Sequence, residues 1–166
     1  MIFTLKGLLR LRLSSRSEGK LRPKVIIYTD GGASPNPGRG GWAAILHSPE
    51  HNAEREIYGA EDDTTNNRME LTAAIRALEA LKTPCDVEIF TDSAYLQNAF
   101  VKRWLQNWKR KGWKTSQGGD VLNRDLWERL DELTNIHNVS WNWVKGHSDN
   151  ERNNRCDELV HVAMGR

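Results

Sequence analysis

The sequence predicts an α/β fold, with a five-stranded mixed sheet of three antiparallel and two parallel strands flanked by helices. Three observations predict it. An apolar, β-branched run, KVIIYTD, is followed by two more strand-like stretches with only turns between them. A long helical pattern, TTNNRMELTAAIRALEALK, then leads into a second apolar run, DVEIFTD, and a strand–helix–strand order implies a parallel crossover pair. The rest reads helix, helix, strand, helix, giving β-β-β-α-β-α-α-β-α for the whole chain.

The first strand begins at Lys24 and ends at Asp30, where GGASPNPGRGG supplies the Gly, Pro, Ser and Asn of a turn. Strands over Trp42 to His47 and Ala53 to Ala60 complete an antiparallel meander, since the loop joining them is too short for a crossover. In the first helix Leu71, Ala74, Ile75, Leu78 and Leu81 repeat at helical spacing, the preceding threonines and asparagines offer caps, and Pro84 ends the pattern. The run DVEIFTD gives a strand with Val87, Ile89 and Phe90 and terminates at Asp92. Helices are predicted over Ser93 to Trp108 and Val121 to Thr134. In NVSWNWV, Val139, Trp141 and Trp143 share one strand face, and a last helix starts near Asn150.

With 166 residues the chain fits one domain that can bury a core without disulfides. Residues 24–166 are read as that catalytic domain and residues 1–23 as a basic, flexible N-terminal extension. The extension allows three readings: an arm adding nonspecific nucleic-acid affinity, an Arg/Ser-rich transit peptide, or an upstream start that contributes no fold. Arg10 and Arg12 interrupt the leucines that a secretory signal would keep continuous, and no apolar run could span a bilayer. The two cysteines, Cys85 and Cys156, lack CxxC or zinc-finger spacing, so reduced thiols and a cytoplasmic location are expected. A net charge of +2 decides nothing, but its distribution does. Lys102 to Lys114 holds six cations and no acid, whereas Glu50 to Asp63 holds six acids against Arg55. One face should attract phosphate.

Asp30 and Asp92 each follow a threonine at the end of an apolar strand, Glu70 lies in the first turns of a helix, and Asp157 lies on the last helix. Oxygen-only ligation selects Mg²⁺ or Mn²⁺, and four carboxylates could serve two ions about 3.5–4 Å apart for an in-line phosphoryl displacement. Taken singly, each acid has a structural explanation: an early-helix Glu suits the helix dipole, and a strand-end Asp caps a turn. Placement alone permits a metal nuclease without deciding for one.

The blocks YTDGGASPNPGRGGWAAIL, TTNNRMELTAAIRALEAL, IFTDSAYL, KRWLQNWKRKGWKT, NRDLWERL and WNWVKGHSDNERNNRCDEL resemble the successive motifs of bacterial type 1 ribonuclease H, over Lys24 to about Met164. The resemblance implies a ribonuclease H-like fold and an endonuclease that hydrolyses the RNA strand of RNA–DNA hybrids, leaving 5′-phosphate and 3′-hydroxyl ends. Such an enzyme removes hybrids and RNA primers in replication and repair. Carried over by motif, Asp30 would bridge two Mg²⁺ ions, with Mn²⁺ a possible substitute. Asp157 would hold the ion on the water side, and Glu70 and Asp92 the ion on the leaving-group side. His147 would assist proton movement or product release from a loop. Trp104, Lys109, Arg110, Lys111 and Trp113 match the family's basic protrusion, which contacts the DNA strand. Asn36, Asn66 and Asn67 would read the RNA minor groove, and Thr65 and Asn123 would bind a DNA phosphate. The implied partner is the hybrid alone, met by a monomer with no membrane. Two departures stand out: Ala94 follows TDS where many relatives carry a longer polar side chain, and Ala33 offers only its backbone. The rivals are a junction resolvase or reverse-transcriptase domain on the same fold, and a noncatalytic hybrid-binding module.

Overall fold

The computed structural model describes residues 21–146 and 149–166. Five strands, β1 (Lys24–Ala33), β2 (Gly38–Ser48), β3 (Ala53–Thr64), β4 (Asp86–Thr91) and β5 (Asn138–Trp143), form one sheet in the order β3-β2-β1-β4-β5. β1, β2 and β3 pair antiparallel, while β1–β4 and β4–β5 pair parallel. This is the mixed sheet that the element order predicts. The helices are α1 (Asn66–Glu79), α2 (Ala94–Val101), α3 (Trp104–Arg110), α4 (Arg124–Ile136) and α5 (Glu151–Ala163).

Strand alternation divides the core in two. Val25 and Ile27 of β1, with Val87 and Ile89 of β4, face α1, α2 and α4 and bury Leu71, Ala74, Leu78, Leu96, Trp127 and Leu130. Ala43 and Ile45 of β2 face the other way, packing with Tyr28 against Cys156, Leu159, Val160 and Met164 of α5 and its end. Trp127 is the largest fully buried side chain. The rings of Tyr95, Phe100 and Trp108 lie 5.3, 6.1 and 5.5 Å from it, and its indole N–H donates to the Tyr95 hydroxyl at 3.1 Å.

Several boundaries differ from the sequence-based expectation: β2 begins at Gly38 rather than Trp42, and β3 runs to Thr64 rather than Ala60, because the β2–β3 ladder extends to the Gly38–Thr64 pair. β1 continues past Asp30 to Ala33, because Gly31 and Gly32 stay paired with Trp42 and Gly41, so the turn shrinks to residues 34–37. The single helix expected over Ser93 to Trp108 is two, because Arg103 adopts a left-handed backbone (φ 57°) between α2 and α3. Likewise α4 starts at Arg124 because Asn123, at φ 61°, breaks the approach from Val121. On β5, Phe100 stacks on Trp141 at 4.5 Å, whereas Trp143 stays 52% exposed. No described helix is long and apolar enough to cross a membrane. The 1–23 extension falls, up to Lys20, outside the described residues, as does His147.

Candidate active site

The parallel ladder between β1 and β4 ends at the pair Thr29 and Thr91, both buried. Asp30 and Asp92 are thus the first residues past the last parallel pair, on adjacent strands. Two helices close over them because glycines clear the way. A Cβ on Gly31 would lie 2.4 Å from the Met69 carbonyl carbon and 2.6 Å from the Glu70 nitrogen. β1 therefore touches the backbone of α1 at Glu70, a contact that only a residue without a side chain allows. On the opposite face, a Cβ on Gly41 would meet the Val160 carbonyl oxygen at 2.7 Å, so the helix carrying Asp157 rests directly on β2.

The electrostatics record the convergence. The Asp30 carboxyl is pushed up to about 8, first by burial and next by Asp92, with smaller repulsions from Asp157 and Glu70. The Gly31 amide, donating to Asp30 Oδ1 at 2.8 Å, works against that rise. Glu70 is pushed up to about 7, again mainly by burial, opposed by Ser93 and reinforced by Asp92. The Ser93 hydroxyl donates to Glu70 Oε2 at 2.5 Å and accepts from the Leu96 amide at 3.1 Å, so one side chain caps α2 and orients Glu70. Thr91 Oγ1 in turn accepts from the Ser93 amide at 3.0 Å. Asp157 lies 3.8 Å from His161 Nε2. The Cys156 thiol is raised far above its ordinary value, by burial and then by Asp30, and so is inert.

Among the described residues no three acid, histidine or cysteine side chains already form a closed metal cage. The mutual repulsion felt at Asp30 nevertheless shows four carboxylates sharing one field. These findings agree if the acids ring a common space more widely than ligand distance. The field carries more weight for function, since Mg²⁺ keeps several waters and needs few direct protein ligands. The donor set fits a hard divalent cation: it is all oxygen, and two of its members are buried like charges that a cation would relieve.

Asn36, Thr65, Asn66, Asn67 and Asn123 gather around the start of α1. Asn36 Oδ1 accepts from the Asn66 amide at 3.1 Å, and Asn66 Oδ1 accepts from the Ala33 amide at 2.7 Å, locking the 34–37 turn to the start of α1. Thr65 caps α1 by accepting from the Arg68 amide at 3.2 Å, while Asn67 is exposed beside it. Arg68 then joins Thr65's turn to Asn123: its guanidinium donates to Asn123 Oδ1 at 3.3 Å and to both Asp125 oxygens at 3.0 and 2.8 Å. Trp104, Trp108 and Trp113 follow one another at 6.1 and 6.4 Å, with Lys102 over Trp104 and Arg124 over Trp113. Within this basic segment Lys109 turns back to Asp131 at 2.8 Å and Arg110 to Asn107 at 2.6 Å, and Lys109, Arg110 and Lys111 are all exposed. Sequence reasoning passed over Ser93, Arg68 and Gly31. The serine of TDS and the arginine of NNRMEL stood inside quoted motifs, but only three-dimensional contact reveals their partners.

A mixed sheet with half-buried carboxylates at the carboxyl end of its parallel strands, in a chain that also carries a basic tryptophan-rich segment, is the architecture of a hydrolytic enzyme acting on phosphodiesters. The chain belongs to the RNase H family, in its bacterial type 1 branch, for the RNase H family model matches residues 22–164. It is 60% identical over 137 residues to the ribonuclease H of Acetivibrio thermocellus, covering 82% of this chain and 92% of that protein. Among solved structures, LC9-RNase H1, described as a type 1 RNase H with the type 2 active-site motif, aligns with TM-score 0.76 at 29% identity, covering 87% of this chain and 73% of that one. LC11-RNase H1 in complex with RNA/DNA hybrid aligns with TM-score 0.65 at 26% identity, covering 85% and 96%.

Proposed function

We propose that this chain hydrolyses the RNA strand of RNA–DNA hybrids at a two-ion site, with Mg²⁺ as the ion and Mn²⁺ as a substitute, leaving 5′-phosphate and 3′-hydroxyl ends. The observation that carries the reading is Asp30, buried and repelled by Glu70, Asp92 and Asp157 at once. The names of the relatives and the hybrid bound by LC11-RNase H1 support the choice of substrate. Bound divalent ions would supply Lewis-acid activation of a water and stabilisation of the departing 3′ oxygen.

The chain's own residues do the rest. Asp30, held between the two helices, would face both ions, Asp157 one of them, and Glu70 and Asp92 the other. Ser93 holds the Glu70 carboxylate in one orientation. Asn36, Asn66 and Asn67 would meet the 2′-hydroxyls of the RNA groove, and the Thr65–Arg68–Asn123 corner would hold a DNA phosphate. Trp104, Lys109, Arg110, Lys111 and Trp113 would grip the DNA strand, and His147 would move a proton or release product. The protein would act as a cytoplasmic monomer on hybrids and primers left by replication and repair. The test is a labelled panel of hybrid, duplex RNA and duplex DNA incubated with Mg²⁺ or with chelator. The RNA of the hybrid alone should be cut, and only with metal; cleavage in chelator, or of every duplex alike, would refute the proposal.

A further inference from the structure

Asp92 occupies a joint. The last pair of the β4–β5 ladder is Thr91 with Trp143, and Ser93 already caps α2, so Asp92 is past the sheet and before the helix. The last residue of β5 and the segment after it hold this joint in three ways. The Val144 amide donates to the Thr91 carbonyl at 2.9 Å, extending the hold of β5 by one residue. The Trp143 indole N–H donates to the Asp92 carbonyl at 3.2 Å. A Cβ built on Gly146 would come within 2.9 Å of Asp92 Oδ2.

Two of these contacts have features that packing alone does not explain. Trp143 leaves 52% of its surface in solvent, so its ring does little for the core, while its N–H reaches back across the strand end. No left-handed backbone sets Gly146 apart, in contrast to Gly112, Gly118 and Gly165. The first group a side chain there would meet is the Asp92 carboxylate, which would have to swing aside.

We infer that Trp143 and Gly146 are positioning residues for Asp92. Trp143 anchors the main chain from which the carboxylate projects, and Gly146 leaves the space into which the carboxylate is directed. The inference rests on the proposed reading of Asp92 as a metal ligand. Outer-shell groups that orient a ligand tune metal affinity without touching the metal.

The experiment measures Mn²⁺ binding to the whole protein by calorimetry without nucleic acid, well below the melting temperature of every variant, for wild type, Trp143→Phe, Trp143→Ala and Gly146→Ala. Hybrid affinity in chelator and Mn²⁺-dependent cleavage are measured alongside. Losing one anchoring hydrogen bond should weaken Mn²⁺ binding about fivefold. Trp143→Phe should lose as much as Trp143→Ala, since phenylalanine keeps the ring and not the donor, and hybrid affinity in chelator should hold. Gly146→Ala should weaken Mn²⁺ binding at least as much. Phenylalanine restoring wild-type Mn²⁺ binding would reduce Trp143 to packing and overturn the inference, as would a Gly146→Ala protein that binds Mn²⁺ normally. If wild type neither binds Mn²⁺ nor cuts hybrid, the functional reading fails and takes the inference with it. Variants equal to an active wild type overturn the inference alone.

Discussion

Replacing Asp30 with asparagine should stabilise the protein while abolishing its proposed reaction. The Asp30 carboxyl rises from 3.8 to about 8 because burial and neighbouring acids disfavour its charge. Between those values the folded protein keeps a proton that the unfolded chain has released, so stability falls as pH rises through the window and levels off above it. At pH 7 about three units of that window have passed, and at about 1.4 kcal/mol per unit the penalty is about 4 kcal/mol. This is an upper bound, because Glu70 and Asp92 share the same repulsion. Asparagine removes the charge and keeps an oxygen to accept the Gly31 amide. In urea unfolding with chelator at pH 7, Asp30→Asn should gain about 2–4 kcal/mol over wild type. The gain should disappear near pH 4, where wild type is also neutral at this position. Adding Mg²⁺ should narrow it, since only wild type gains from binding the ion. A variant less stable than wild type at pH 7 in chelator, or a gain identical at pH 4 and pH 7, would refute the reasoning.

Gly31→Ala should cost about 1–3 kcal/mol in denaturant unfolding, because its Cβ would collide with the backbone of Met69 and Glu70, and activity should fall further than stability as Glu70 is pushed away. Ser93→Ala removes the α2 cap, worth about 1 kcal/mol, together with the Glu70 hydrogen bond. Its cleavage rate should drop at saturating hybrid, and the Mg²⁺ concentration for half-maximal rate should rise. In the basic segment, Lys111→Ala should weaken hybrid binding in chelator and reduce the slope of log affinity against log salt by about 0.9. Lys109→Ala should change that slope less, because Lys109 is already paired with Asp131.

Much of this could be read from sequence because periodicity reports burial. Val25 and Ile27 alternate into one core, and Leu71, Ala74, Ile75 and Leu78 share a helical stripe, so β1, α1, β4 and their parallel order were all predictable. The two aspartates at the end of the parallel ladder were visible for the same reason. Boundaries set by single backbone conformations were not. Nothing in KRWLQNWKRK marks Arg103 as the left-handed residue that splits α2 from α3. Gly31 and Gly32 looked like a turn, and only pairing with β2 makes them strand. The supporting contacts at the site, Ser93 to Glu70 and Trp143 to Asp92, join residues 23 and 51 positions apart, beyond any local pattern. Glu70 and Asp157 come within electrostatic reach of Asp30 with their helices set against the sheet at Gly31 and Gly41, a steric condition that spacing does not encode.

The central claim is that the half-buried carboxylates at the end of β1 and β4 cut the RNA of a hybrid with metal. The most direct measurement follows an end-labelled hybrid with wild type and Asp92→Asn in Mg²⁺ and in chelator, after matching the two proteins for hybrid affinity without metal. Wild type should cut the RNA strand only in Mg²⁺, leaving 5′-phosphate ends, while Asp92→Asn binds equally and cuts at least about a hundredfold more slowly. An Asp92→Asn protein that cuts at the wild-type rate, or wild type that cuts equally in chelator, would contradict the account.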